Sequence, residues 1–168
     1  MLGGACDSVM MLLLKNLLFT LIVPGTVGVY VPLLLTRDGV AGSGPVIFVA
    51  LALFTVGGAI YTWCVWDFAA FGRGTPAPID APKRLVVRGL YRYTRNPMYV
   101  GVLTVLLGWA FLFQETTVLV YAICVGISFH LFVVLHEERH LARQFGAEYH
   151  DYCRSVSRWL PHFRWRAA

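Results

Sequence analysis

PMYVGVLTVLLGWAFLFQETTVLVYAICVGISFHLFVVL, residues 97–135, holds two apolar runs, 97–113 and 117–135, parted by Gln114-Glu115-Thr116. A helix needs about 20 residues to cross a bilayer, within a range of about 17–25, so each run is long enough, the first at the short limit. So brief a link forces an antiparallel return, and the two runs predict a tight helical hairpin. Outward from the hairpin, LLFTLIVPGTVGVYVPLLL (17–35) and PVIFVALALFTVGGAIYTWCVW (45–66) are apolar over a similar length. The expected fold is therefore an all-α membrane protein of about four transmembrane helices, a single membrane domain over residues 1–168. Pro24-Gly25 and Pro32 predict a kink in the first helix. No small-residue cleavage site follows a short apolar core, so that run is expected to be a retained helix and not a signal peptide.

Composition points the same way. Apolar residues make up 58% of the chain and charged ones 14%, against about 45–50% and about 25% in soluble domains. The four cysteines, Cys6, Cys64, Cys124 and Cys153, form no CxxC pair and read as small buried hydrophobes. The net charge of +5 is patterned. Arg73, Lys83, Arg84, Arg88, Arg92 and Arg95 fall between the second and third helices, and Arg139, Arg143, Arg154, Arg158, Arg164 and Arg166 follow the fourth. Two crossings separate these segments, so both lie on one side, which the positive-inside rule makes cytoplasmic together with both termini. The basic residues thus record topology and anionic lipid, not nucleic acid.

In the cytosolic loop 67–96, Gly72, Gly74, Pro76, Pro78 and Pro82 preclude a long helix at the start, and Leu85-Val86-Val87 reads as a short extended piece. In the tail 136–168, Leu141, Phe145, Tyr149 and Tyr152 share one broad face, which predicts an amphipathic helix over 136–153 running on from the fourth span. Trp159, Phe163 and Trp165, mixed with Arg158, Arg164 and Arg166, read as an interfacial anchor.

HEERH, residues 136–140, matches the H-E-x-x-H zinc signature, in which two histidines share a helix face and a glutamate activates metal-bound water. A zinc site needs a third protein ligand. Glu148, His150, Asp151 and His162 are available, but none sits in a familiar spacing, and the pattern reads equally as charged residues at a helix end. No metal is expected. Two adjacent carboxylates at a membrane edge point to function by themselves, since such groups are costly there.

RGLYRYTRNPMYVG (88–101), then the hairpin, then EERHLARQFGAEYHDYCRSVSRWLP (137–161) resembles the integral membrane methyltransferases: isoprenylcysteine carboxyl methyltransferase, phosphatidylethanolamine methyltransferase and their bacterial relatives. The shared pattern is R-[HN]-P-x-Y-x-G, E-E-x-x-L, F-G-x-x-Y-x-x-Y and a closing R-x-x-P, over roughly the last hundred residues. The resemblance implies that loop 67–96 and tail 136–168 together enclose S-adenosylmethionine. It implies a cofactor role for Gly72 and Gly74, as the Gly-x-Gly of that loop, and for Glu137 and Glu138. It also assigns Arg95, Asn96, Pro97 and Tyr99 to the R-[HN]-P-x-Y motif. Many relatives have histidine at Asn96; asparagine hydrogen-bonds but does not titrate, which favours a positioning role.

The residue chemistry agrees. Carboxylates suit the ammonium or ribose of such a cofactor. Arg92 or Arg95 suits its carboxylate or an anionic substrate, and Tyr99 and Tyr149 suit its adenine or hydroxyls. Arg95, Asn96, Tyr99 and Glu138 are the candidate catalytic residues; Gly72, Gly74, Arg92, Tyr99, Glu137, Glu138 and Tyr149 are the candidate cofactor ligands. His130 is a further intramembrane candidate. The expected reaction is methyl transfer from S-adenosylmethionine to a membrane lipid, lipidated substrate or small thiol. The rivals are an NADPH-dependent membrane reductase, the zinc protease and a non-enzymatic scaffold.

Overall fold

The computed structural model describes residues 3–72 and 84–160. Its elements are helical: α1 Gly3–Gly25, α2 Val31–Leu35, α3 Pro45–Asp67, α4 Pro97–Phe113, α5 Thr116–Phe132, α6 Glu138–Phe145 and α7 Ala147–Ser155. Three π turns, Thr26–Tyr30, Phe68–Gly72 and Val133–Glu137, carry helices onward without a break, and a 3₁₀ turn covers Gly89–Arg92. Among the described residues the only β-type pairing is a single parallel bridge between Thr94 and Ser157.

Three stretches are long and apolar enough to cross a membrane: Leu14–Leu35, Pro45–Phe71 and Thr116–Phe145. The chain is an integral membrane protein on this evidence. α4 is apolar too but has 17 residues, about 26 Å at 1.5 Å per residue, slightly short of a hydrocarbon layer of about 30 Å.

The bundle is built on α3 against α4, its most extensive contact. Ala50, Gly57 and Cys64 recur every seventh residue on α3, and Gly101 and Gly108 do so on α4; all are buried. A seven-residue repeat keeps one seam facing its partner. Gly108 meets Phe54 and Ala50 while Gly101 meets Gly57 and Tyr61, so the helices run antiparallel. The backbones are close: a Cβ on Gly57 would stand 2.7 Å from the Gly101 carbonyl oxygen. Only glycine permits that approach.

Prolines in the first span do not break it. The π turn sends the Val31 N–H to the Thr26 carbonyl, which strands the Val27 carbonyl, and Pro32 has no N–H to offer Gly28. Both orphans find side chains from other helices. Tyr121 Oη donates to Val27 O at 3.0 Å and Trp109 Nε1 donates to Gly28 O at 3.0 Å. The irregular first helix is thereby tied to α4 and α5, as a lipid environment demands.

The expected single tail helix over 136–153 is two helices. Gly146, at φ 53°, ends α6 and starts α7, a conformation open to glycine and costly for other residues. The turn lets Leu141 and Phe145 of α6 pack with Tyr149, Tyr152 and Val156 in one cluster. Residues 85–87 have no regular structure; Leu85 joins that cluster and Val86 packs with Cys64 and Tyr91 in another.

Candidate active site

Pro97 opens α4 at a position where its missing N–H costs nothing, and the residues before it lie beside the tail. Arg95 N–H donates to Ser157 O at 2.9 Å. Thr94 Oγ1 and Asn96 Nδ2 both donate to Arg158 O, at 3.0 and 3.1 Å. Tyr152 Oη donates to Tyr91 O at 2.7 Å. Asn96 therefore acts as a buried tether between loop and tail. Burial holds the phenols of Tyr91, Tyr149 and Tyr152 well above their usual range.

Adjacent residues on a helix diverge by about 100°, and Glu137 and Glu138 take different partners. Glu137 Oε2 accepts from Tyr99 Oη at 2.9 Å. Glu138 is gripped side-on by Arg158, with Nε to Oε1 at 2.7 Å and Nη2 to Oε2 at 2.9 Å. Arg95 Nη1 reaches the same Oε1 at 3.0 Å and donates to Cys153 Sγ at 2.8 Å. Arg95 Nε is buried with no partner. The hydrogen bond to Glu138 raises the Arg158 guanidinium further above its ordinary value. The sequence places Arg158 in an interfacial anchor, and in the structure its side chain is an ion-pair partner of Glu138. The closing R-x-x-P pattern was the one signal of it.

Two cavities flank this cluster. The larger, about 90 Å³, has Arg95, Asn96, Tyr99 and Glu137 in its lining. The rest of its lining is mostly apolar, with Phe19 and Val23 of α1, Val27, Val102 of α4 and Phe129 of α5, and includes the two tyrosines Tyr61 and Tyr91. The smaller, about 20 Å³, is lined by Arg95, Asn96, Glu137, Glu138, Tyr149 and Tyr152, with Val133 and Leu141. Arg95, Asn96 and Glu137 face both and form the partition between them.

The other candidates are placed differently. Arg92 is exposed on the 3₁₀ turn and lines neither cavity. Gly72 ends the π turn after α3, and Gly74 lies outside the described residues, as do His162, Phe163 and Trp165. His130 Nδ1 accepts from Trp159 Nε1 at 3.1 Å, and Trp159 lies 6.5 Å, ring to ring, from Tyr99. His136 is exposed and stacks on Phe132, and His140 is exposed. Among the described residues no three His, Cys, Asp or Glu side chains stand close enough to hold a metal.

A family model described as phospholipid methyltransferase matches residues 45–148. The chain belongs to the phospholipid methyltransferase family. No curated protein matches it. The family match runs from α3 into α7 and takes in Arg95, Asn96, Tyr99, Glu137 and Glu138, so the partition of the two cavities falls inside it, whereas Arg158 lies beyond its end. Membership of a membrane methyltransferase family favours methyl transfer over the reductase, protease and scaffold readings.

Proposed function

We propose that this chain transfers a methyl group from S-adenosylmethionine to a lipid acceptor, with the amine of a phospholipid head group as the nucleophile. The observation that carries this reading is the larger cavity, whose lining combines a guanidinium and a carboxylate with mostly apolar side chains drawn from α1, α4 and α5. A lipid has that polarity profile, and the family description agrees with the acceptor class.

The donor set fits the methionine portion of the cofactor. Arg95 offers a buried, unpartnered N–H to a carboxylate. Glu138 is already held by two arginines, so Glu137 is the carboxylate left for an ammonium. A volume of about 90 Å³ is below the ~300–1,000 Å³ of complete ligand sites, so the cavity is sized for the reacting ends of cofactor and lipid and not for the whole of either. When bound, the cofactor supplies an electrophilic methyl on a sulfonium. The chain's own residues contribute alignment and dryness: Tyr99 fixes Glu137, Asn96 fixes the loop, and the apolar wall excludes water. In this reading α4 and α5 form the third and fourth crossings, joined at Gln114 and Glu115, and the site faces the cytosol.

The test uses purified protein with radiolabelled S-adenosylmethionine and liposomes. With phosphatidylethanolamine liposomes label is expected in the N-methylated lipid products, and with liposomes of phosphatidylcholine alone, whose nitrogen is already quaternary, none is expected. Transfer only to a prenylated cysteine or a small thiol would reject the amine acceptor. In calorimetry, S-adenosylhomocysteine is expected to bind and Glu137→Gln to weaken it about tenfold or more, the scale of a charge-assisted hydrogen bond. A wild-type protein that binds none would reject the cofactor.

A further inference from the structure

The Arg95–Glu138–Arg158 cluster is unbalanced: two guanidiniums share one carboxylate. Arg158 takes both Glu138 oxygens in a side-on pair, 2.7 and 2.9 Å, while Arg95 reaches only one of them, through Nη1 at 3.0 Å. Arg95 is thus held by the edge of its guanidinium. Its Nε stays buried and unpartnered, and the side chain lines both cavities. The Arg158 side chain keeps about a third of its surface and lines neither cavity, so it does not itself reach a ligand there.

We infer that Arg158 is a positioning residue that keeps the charge of Arg95 available to the carboxylate of a bound cofactor. A carboxylate and a guanidinium left to themselves form a two-bond pair that neutralises both. By occupying Glu138, Arg158 prevents that pairing on Arg95, and the three residues together carry one net positive charge next to the Glu137 carboxylate. The alternative is that Arg158 only fastens the tail. The geometry separates the two roles. The tail is fastened by the Arg158 backbone carbonyl, which accepts from Thr94 and Asn96, and by the Ser157 carbonyl, which accepts from Arg95 N–H. Those bonds survive replacement of the Arg158 side chain, which is free to serve Glu138.

This inference rests on the cofactor reading above, and the experiment distinguishes the two. Binding of S-adenosylhomocysteine is measured by calorimetry beside S-adenosyl-3-thiopropylamine, which keeps the ammonium and lacks the carboxylate. The wild type is expected to prefer the carboxylated ligand about tenfold or more, the scale of one charge-assisted bond. Arg158→Ala is expected to erase that preference by weakening S-adenosylhomocysteine alone. Arg158→Lys, which leaves a cation near Glu138 without the two-bond fork, is expected to restore part of it. Equal weakening of both ligands by Arg158→Ala makes the side chain a fastening for the tail and overturns the inference. Unchanged binding of both overturns it as well. A wild type that binds neither ligand removes the cofactor reading and this inference with it.

Discussion

Tyr99 does two jobs that one substitution separates. Its ring packs against Phe129, 4.6 Å between centroids, and its hydroxyl donates to Glu137. Tyr99→Phe keeps the ring and removes the donor. A hydrogen bond to a charged group contributes about 1.5–3 kcal/mol, so kcat/KM is expected to fall roughly tenfold or more while the melting temperature in detergent moves little. Unchanged kcat/KM would confine Tyr99 to packing. Gly89 makes the opposite case, a residue whose absent side chain matters. It sits at φ 53°, and a Cβ there would land on Asp67 Oδ2, with Trp63 Nε1 2.9 Å away. Asp67 is buried at the end of α3, paired with Arg88 at 3.5 Å, and Arg88 lies over the Phe71 ring. Gly89→Ala combines an unfavourable backbone with displacement of that carboxylate and is expected to cost about 2 kcal/mol or more. Thermal unfolding checks it against Gly58→Ala, where a Cβ meets nothing within 4 Å.

At the scale of elements, the first span depends on bonds it does not make itself. Trp109→Phe would keep a ring near Phe54 but abandon the Gly28 carbonyl, which Pro32 cannot serve. An unsatisfied buried acceptor costs about 1–3 kcal/mol, and the midpoint of unfolding in denaturing detergent is expected to fall by a corresponding amount; an unmoved midpoint would show that the carbonyl finds another donor. These couplings also explain what could be read from sequence. The apolar run 97–113 is α4 residue for residue, because burial in lipid is written directly into composition. Pro24-Gly25 and Pro32 mark the place of an irregularity in the first span, but not its form as a π turn at Thr26–Tyr30, whose freed carbonyls are served by donors distant in sequence, on α4 and α5. The tail helix over 136–153 was overextended because Leu141, Phe145, Tyr149 and Tyr152 keep helical spacing across Gly146, whose φ is fixed by packing of α6 onto α7. Glu137 and Glu138 were visible as a pair, and their divergence followed from helix geometry. The Arg158 partner of Glu138 was not, because the contact joins residues twenty apart around that turn.

At the scale of the whole molecule, the short α4 raises the question of whether it crosses the bilayer or only enters it. A pair of helices that merely dips in returns the tail to the same side as a pair that crosses, so the basic residues on 67–96 and 136–168 do not decide it. The far end of α4 bears on it. Gly42 N–H, in the connection between α2 and α3, donates to Leu112 O at 2.7 Å, and a Cβ on Gly39 would stand 3.2 Å from the Phe113 ring. The last turn of α4 thus reaches the level of the connection between Leu14–Leu35 and Pro45–Phe71. An α4 that crosses is expected to meet its deficit against a hydrocarbon layer of about 30 Å by local thinning of the bilayer around the α4–α5 pair. In a cysteine-free background, Gln114→Cys and Ser43→Cys, both at exposed positions, are expected to react together with an impermeant maleimide from outside intact cells. Arg154→Cys, exposed on α7, is expected to react only after permeabilisation. If Gln114→Cys instead reacted with Arg154→Cys, the α4–α5 pair would be re-entrant, and the methyl acceptor would reach Glu137 beside a notch in one leaflet and not a full-depth bundle.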